Sequence, residues 1–159
     1  MLKETPAKKI VRTKSAPRLL LALGMVLVGV GLMVFGLRGV LEDRVYIRTP
    51  KMLIKAEIAD DEEERVKGLS GRDSLDVDEG MLFIFDTPDE HGIWMRDMKF
   101  PIDVVFLDSN KKVIMIEEEV NPDNFPQIYA PEKPTKYIIE LHSGTAINLG
   151  IKVGQILSW

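Results

Sequence analysis

Cysteine is absent from all 159 residues, which removes disulfide frameworks, thiolate zinc sites, iron–sulfur clusters and thiol nucleophiles in one step. Histidine is nearly as scarce. His91 and His142 are the only imidazoles and are 51 positions apart, so no local metal-ligand spacing exists and neither a metal nor another cofactor is expected. Also missing are a GxSxG elbow, an HExxH helix, a Walker loop and a Rossmann glycine pattern. Gly68 with Gly71 and Gly150 with Gly154 lack the strand-turn-helix setting that a phosphate site requires. The three consecutive acids Glu117 to Glu119 lack the spacing of a calcium loop and read as an exposed strand edge. The formal net charge of −4 conceals an asymmetry: residues 1–38 carry 7 Lys/Arg against 1 acid, whereas residues 39–159 carry 14 against 24. A segment at −10 repels phosphate backbones, so nucleic acid is not an expected partner.

What is present first is a run of 19 residues, Leu19 to Leu37, without a charge or a strong hydrogen-bonding side chain. At about 1.5 Å per residue it spans roughly 28 Å as a helix, close to the hydrocarbon thickness of a bilayer. Burying such a helix on all sides would demand more domain than the remaining 120 or so residues supply. The run exceeds the roughly 7–15 apolar residues of a cleaved signal peptide, and no A-x-A-like site follows it, so a retained signal-anchor is expected. Lys3, Lys8, Lys9, Arg12, Lys14 and Arg18 precede the run against Glu4 alone, which orients the basic end inward. The reading is therefore a single-pass protein of the cytoplasmic (inner) membrane. Residues 1–18 form a basic cytoplasmic tail, Leu19 to Leu37 meets the lipid bilayer, and the C-terminal domain lies outside the cytoplasm.

Past Arg38 the pattern changes to short runs of Val, Ile, Phe and Tyr separated by Pro, Gly, Asn and Asp, which predicts a mainly β domain. Residues 38–51 hold a linker and a first strand, and 52–159 the β domain proper. Strands are expected near Val45 to Arg48, Met52 to Ala59, Met81 to Phe85, Ile93 to Arg96, Ile102 to Leu107, Val113 to Glu118, Tyr137 to Leu141 and Gln155 to Ser158. One short helix begins at Asp60 or Asp61, where acids suit the positive end of the helix dipole, and stops at Gly68. A second runs from Thr145 to Leu149, with Ser143 as candidate cap and Gly150 as stop. Asp108 to Lys111 reads as a hairpin turn. The stretch MLFIF is apolar on both pleat faces and predicts a central strand of a two-layer sandwich. Four prolines between Asn121 and Pro134 predict a long surface loop carrying Phe125 and Tyr129.

Five stretches in one order then carry a resemblance: ERVKGLSGRDSL (Glu64 to Leu75), GMLFIF (Gly80 to Phe85), WMRDMKFPIDVVFLD (Trp94 to Asp108), KYIIEL (Lys136 to Leu141) and GTAINLGIKVGQIL (Gly144 to Leu157). From about Met52 to Trp159 the chain resembles the prokaryotic DUF192 (UPF0127) family. That resemblance implies a compact β-sandwich of jelly-roll type, often behind a signal sequence or anchor. It implies no established activity and supplies no catalytic residue to transfer.

Candidate chemistry is placed by departures from folding patterns. Asp103 lies inside the apolar run IDVVF, where a carboxylate is costly unless paired or hydrogen-bonded. It either pins a neighbouring loop or serves a ligand. Trp94 and Met95 followed by Arg96 and Asp97 put an aromatic face beside a bidentate donor, a pairing suited to small polar ligands. Trp94 as a core residue with solvated charges beside it is the other reading. Arg72, carried by the Gly68 to Gly71 connection, or Arg96 is a candidate partner charge for Asp103, and the backbone amides of the loop from Met95 to Pro101 are candidate hydrogen-bond donors. The expected role is a module binding a small polar ligand or an envelope protein through Asp103, Trp94, Met95, Arg96, Asp97 and Arg72. The alternative is a carboxylate-dependent hydrolase of an envelope or polysaccharide substrate, pairing Asp103 with Asp97 or Glu140.

Overall fold

The computed structural model describes residues 43–159, so the tail and the apolar run Leu19 to Leu37 lie outside the described residues. Among the described residues no helix is long and apolar enough to cross a membrane. The domain is mainly β, and alternation explains its layout. In β5 (Ile102–Leu107), Ile102, Val104 and Phe106 enter one core while Val105 and Leu107 enter another, so a single strand feeds two hydrophobic layers. Such a strand must sit inside a sheet. Six strands form that sheet in the order β1 (Arg44–Arg48), β2 (Leu53–Ala59), β3 (Glu79–Asp89), β8 (Thr135–His142), β5 and β6 (Val113–Val120). The β2 to β3 pairing is parallel and the others are antiparallel. Parallel neighbours need a crossover, and α1 (Glu62–Lys67) lies within it.

Both helices are held by carboxylates. Asp61 caps α1, its side chain accepting from the Glu64 amide at 2.8 Å, and Gly68 ends the helix at φ +48°. The second helix, α2 (Thr145–Leu149), has Gly144 at its cap position without a side-chain bond from that residue. Ser143, the sequence candidate, does not cap it. Asp103 does so from β5, accepting from the Gly144 amide at 3.0 Å and the Ala146 amide at 2.8 Å. A third amide, that of Glu119 at φ +52°, bonds the same carboxylate at 3.0 Å. The Asp108 turn forms as predicted, its carboxylate accepting from the amides of Asn110 and Lys112.

One core lies between the sheet, α2 and the C-terminal segment, and includes Ile47, Leu82, Leu141, Leu149 and Leu157. On the opposite face Leu69, Leu75, Phe83, Ile93, Met95 and Ile138 form the other. The expected pair of sandwiched sheets is thus replaced by one six-stranded mixed sheet and a two-stranded ribbon, β4 (Ile93–Trp94) with β7 (Ile128–Tyr129). The strand expected over Ile93 to Arg96 contracts to two residues because Met95 and Met98 close a turn, the Met98 amide donating to the Met95 carbonyl. The Asn121 to Pro134 segment is not wholly a loop, since it contributes β7 and a 3₁₀ turn over Pro122–Asn124. Gln155 to Ser158 makes only isolated bridges, Arg48 to Ser158 and Lys112 to Ile156. It thereby touches β1 at one edge of the sheet and the chain entering β6 at the other.

Candidate functional site

The register of β8 decides which acids can work together. Glu140 pairs with Met81 on β3 and Val104 on β5, whereas Asp103 pairs with Leu141. Directly opposed residues share a face, so Asp103 and Glu140 point to opposite sides of the sheet. An acid and base pair made from these two residues is therefore excluded by geometry. Asp103 is fully buried and its three amide donors all belong to the fold. It pins α2 and the end of β6, not the Trp94 to Lys99 loop.

Glu140 lies under a pocket of about 390 Å³. The sheet supplies the floor with Phe83, Phe85 and Glu140, α1 supplies one wall with Arg65 and Val66, and the ribbon supplies the other with Ile93, Trp94 and Ile128. Gly68 lets α1 end against this floor. A methyl group there would lie 3.2 Å from the Phe83 ring and 3.8 Å from Glu140 Oε2, in a backbone region that side chains avoid. Gly92 has a similar duty, since a Cβ would meet the Tyr129 carbonyl and Ile128 at 2.8 Å and push the ribbon apart.

Glu140 is only 5% exposed, and its Oε2 has no hydrogen-bond partner. Burial pushes its carboxyl up to about 8, opposed by the Arg72 charge. Arg72 itself grips Glu57 on β2 with two bonds of 2.9 and 2.5 Å. Those bonds hold the Glu57 carboxyl below its ordinary value despite the opposing effect of burial. Glu57 and Glu140 flank Met81 in one row across the sheet. At about 4.8 Å per strand their backbones stand roughly 10 Å apart. Glu57 does not line the pocket.

The predicted site residues are thereby divided. Trp94 lines the pocket and is 41% exposed, with the Arg96 guanidinium 4.8 Å from its ring centre. Met95 is buried in the core below. Asp97, at φ +57°, points mostly to solvent, 4.0 Å from Arg96. Its carbonyl accepts from the Gly71 amide, while the Ser70 hydroxyl donates to the Arg96 carbonyl. The Gly68 to Arg72 connection and the Trp94 to Lys99 loop are thus adjacent, as the sequence suggested, although Arg72 turns to Glu57 and not to Asp103. Among the described residues no three His, Asp or Glu side chains converge as metal ligands. The residue that sequence reasoning undervalued is Glu140, weighed as a partner for Asp103 and as an acid near His142 but not in its own right. An acid between Ile139 and Leu141 in a central strand carries the same signal that singled out Asp103.

A mixed β-sheet roofed by a short helix and a ribbon, with a buried acid beneath an apolar pocket, defines a class of small pocket-bearing β domains. The chain belongs to the DUF192 (UPF0127) family, whose profile, described as an uncharacterized ACR, matches residues 45–159. It is 41% identical over 69 residues to UPF0127 protein PF1050 of Pyrococcus furiosus, a match covering 43% of this chain and 53% of that protein. The chain thus spans about half the length of that relative. With UPF0127 protein PYRAB11210 of Pyrococcus abyssi it shares 35% identity over 112 residues, covering 66% of this chain and 86% of the other. A crystal structure of a protein of unknown function from Novosphingobium aromaticivorans aligns with a TM-score of 0.68 at 29% identity, covering 73% of this chain and 85% of that one.

Proposed function

We propose that this domain binds a small molecule in the pocket between α1, the ribbon and the sheet. The apolar body of the ligand lies against Trp94, Phe85 and Ile128, and its polar end reaches Glu140. The carrying observation is the Glu140 Oε2 atom, buried without a partner beside a pocket that Phe83, Phe85, Ile93 and Ile128 also line. A polar atom left so costs about 1–3 kcal/mol, and a ligand that satisfies it recovers that cost on binding. In the same proposal Leu19 to Leu37 tethers the chain to the cytoplasmic membrane and presents the pocket outside the cytoplasm. The one-sided basic flank supports that orientation.

Methyl NMR on the full chain in detergent micelles, titrated with a collection of neutral and charged aromatic fragments, tests the pocket. Binders should shift Leu69, Ile93, Met98 and Ile128 together, and Trp94→Ala should weaken them about tenfold. A collection that leaves all four unperturbed overturns the pocket reading. Alkaline carbonate should leave the full-length chain in the membrane pellet, and its release to the supernatant overturns the anchor.

A further inference from the structure

Glu140 lines the pocket with its Oε2 buried and unpartnered, and the charges around it restrict what can meet that carboxyl. An entering cation would find the rings of Phe85 and Trp94 already engaged, because the Arg65 guanidinium sits 5.4 Å from the centre of Phe85 and Arg96 4.8 Å from the centre of Trp94. Arg65 is fixed there by its bond to the Ile84 carbonyl at 2.9 Å, and Lys67 adds further positive charge on the same helix. Arg72, bidentate on Glu57, contributes positive potential from beside the sheet row. An entering anion would meet Glu62 and Glu90 at the walls and Glu140 at the floor, with Glu57 and Glu117 further along the same row of the sheet. Either ionic head would meet like charge as well as opposite charge in this lining and would lose hydration on entering, costs that a neutral head does not carry.

Resting on the pocket reading above, we propose that the buried end of the ligand is an uncharged group that donates and accepts side by side, a carboxamide or cyclic lactam, paired with the carboxyl of Glu140, whose Oε2 is left without a partner. A neutral carboxyl presents one O–H donor and one carbonyl acceptor in a plane, the complement of an amide N–H and C=O. A two-bond pair of this kind satisfies Oε2 without bringing net charge into the pocket. The upward displacement of Glu140 to about 8 by burial agrees with this, since the carboxyl then keeps its proton at neutral pH.

Benzamide is the probe, with benzylamine and benzoate as the charged comparisons, each titrated by methyl NMR into the full chain in micelles at pH 6 and pH 9.5. Benzamide should shift Leu69, Ile93 and Ile128 at pH 6 and bind roughly tenfold more weakly at pH 9.5, as Glu140 ionises through about 8. Glu140→Gln keeps a donor and an acceptor, so benzamide affinity should become equal at the two pH values. That result assigns the pH effect to Glu140 and not to His91, which stacks on Phe85 at 3.7 Å. Glu140→Leu should lose binding at both. Benzylamine or benzoate binding at least as tightly as benzamide at pH 6 overturns the neutral-head proposal while leaving the pocket standing. Failure of all three probes to perturb these methyls overturns the proposal together with the pocket reading.

Discussion

Asp103 and Glu140 are both buried carboxyls on neighbouring strands, one register step apart on opposite faces of the sheet, and they have opposite fates. Asp103 receives three backbone N–H groups, which turn a costly charge into the clamp of α2 and the β6 terminus. Glu140 keeps an oxygen with no partner, and the apolar walls around it raise its proton affinity. Burial of an acid therefore does not by itself mark a site. What distinguishes the two is whether the surrounding backbone completes the hydrogen-bonding shell.

The contrast breaks most visibly at Asp103. Asp103→Ala strips three amides of their acceptor and should cost about 4 kcal/mol in chemical denaturation, with no effect on pocket methyls beyond that of lowered stability. A cost below about 1 kcal/mol would remove the clamp from the comparison. The next largest effect is a pH slope. Glu140 titrates near 4.5 unfolded and about 8 folded, so between those values the folded chain holds a proton that the unfolded chain has released. Stability must then fall as pH rises across that window and level off above it. Glu140→Gln should flatten the slope and leave the variant about 3 kcal/mol more stable than the parent at pH 7, where the span between the unfolded value and the working pH sets the difference. The smallest effect has the opposite sign. The Glu57 carboxyl is lowered by the Arg72 hydrogen bonds, so its stabilisation is present above about pH 4.5 and lost as pH falls through its folded value. Partial exposure screens the pair, and Glu57→Gln should cost about 1 kcal/mol at pH 7 and progressively less as pH falls below about 4.5. Parallel slopes for the two glutamates would show that the row across the sheet is one electrostatic environment and not two.

Strand positions were legible because alternation writes itself into composition. The runs at Ile102 to Leu107 and Tyr137 to Leu141 needed no tertiary information, and neither did the Gly68 stop of α1 or the Asp108 turn. Sheet order was not legible, since β2 and β3 are joined by a crossover and β8 inserts between β3 and β5 from far along the chain. Nor was the ribbon, because Ile128 and Tyr129 find their partner in Ile93 and Trp94 across about 35 residues of chain, and the prolines nearby argue against strand. Near the pocket, the proximity of the Gly68 to Arg72 connection to the Trp94 to Lys99 loop was readable. Asp103 was singled out for a sound reason, the cost of an acid in an apolar strand, yet only coordinates reveal who meets that cost. A cap normally comes from the residue before the helix, which is why Ser143 looked suitable and a carboxylate some 40 positions earlier did not.

The bridge from Arg48 to Ser158 has a kinetic consequence. It joins positions 110 apart, and its neighbour joins Lys112 to Ile156, so the C-terminal segment closes one of the largest loops in the domain. Loop-closure entropy makes such contacts late and slow. Until the C-terminal segment docks, β1 and the start of β6 present open strand edges to other chains. The charges of Arg44 and Arg48 on one edge, and of Glu117 to Glu119 on the other, then act as gatekeepers that discourage intermolecular pairing while folding finishes.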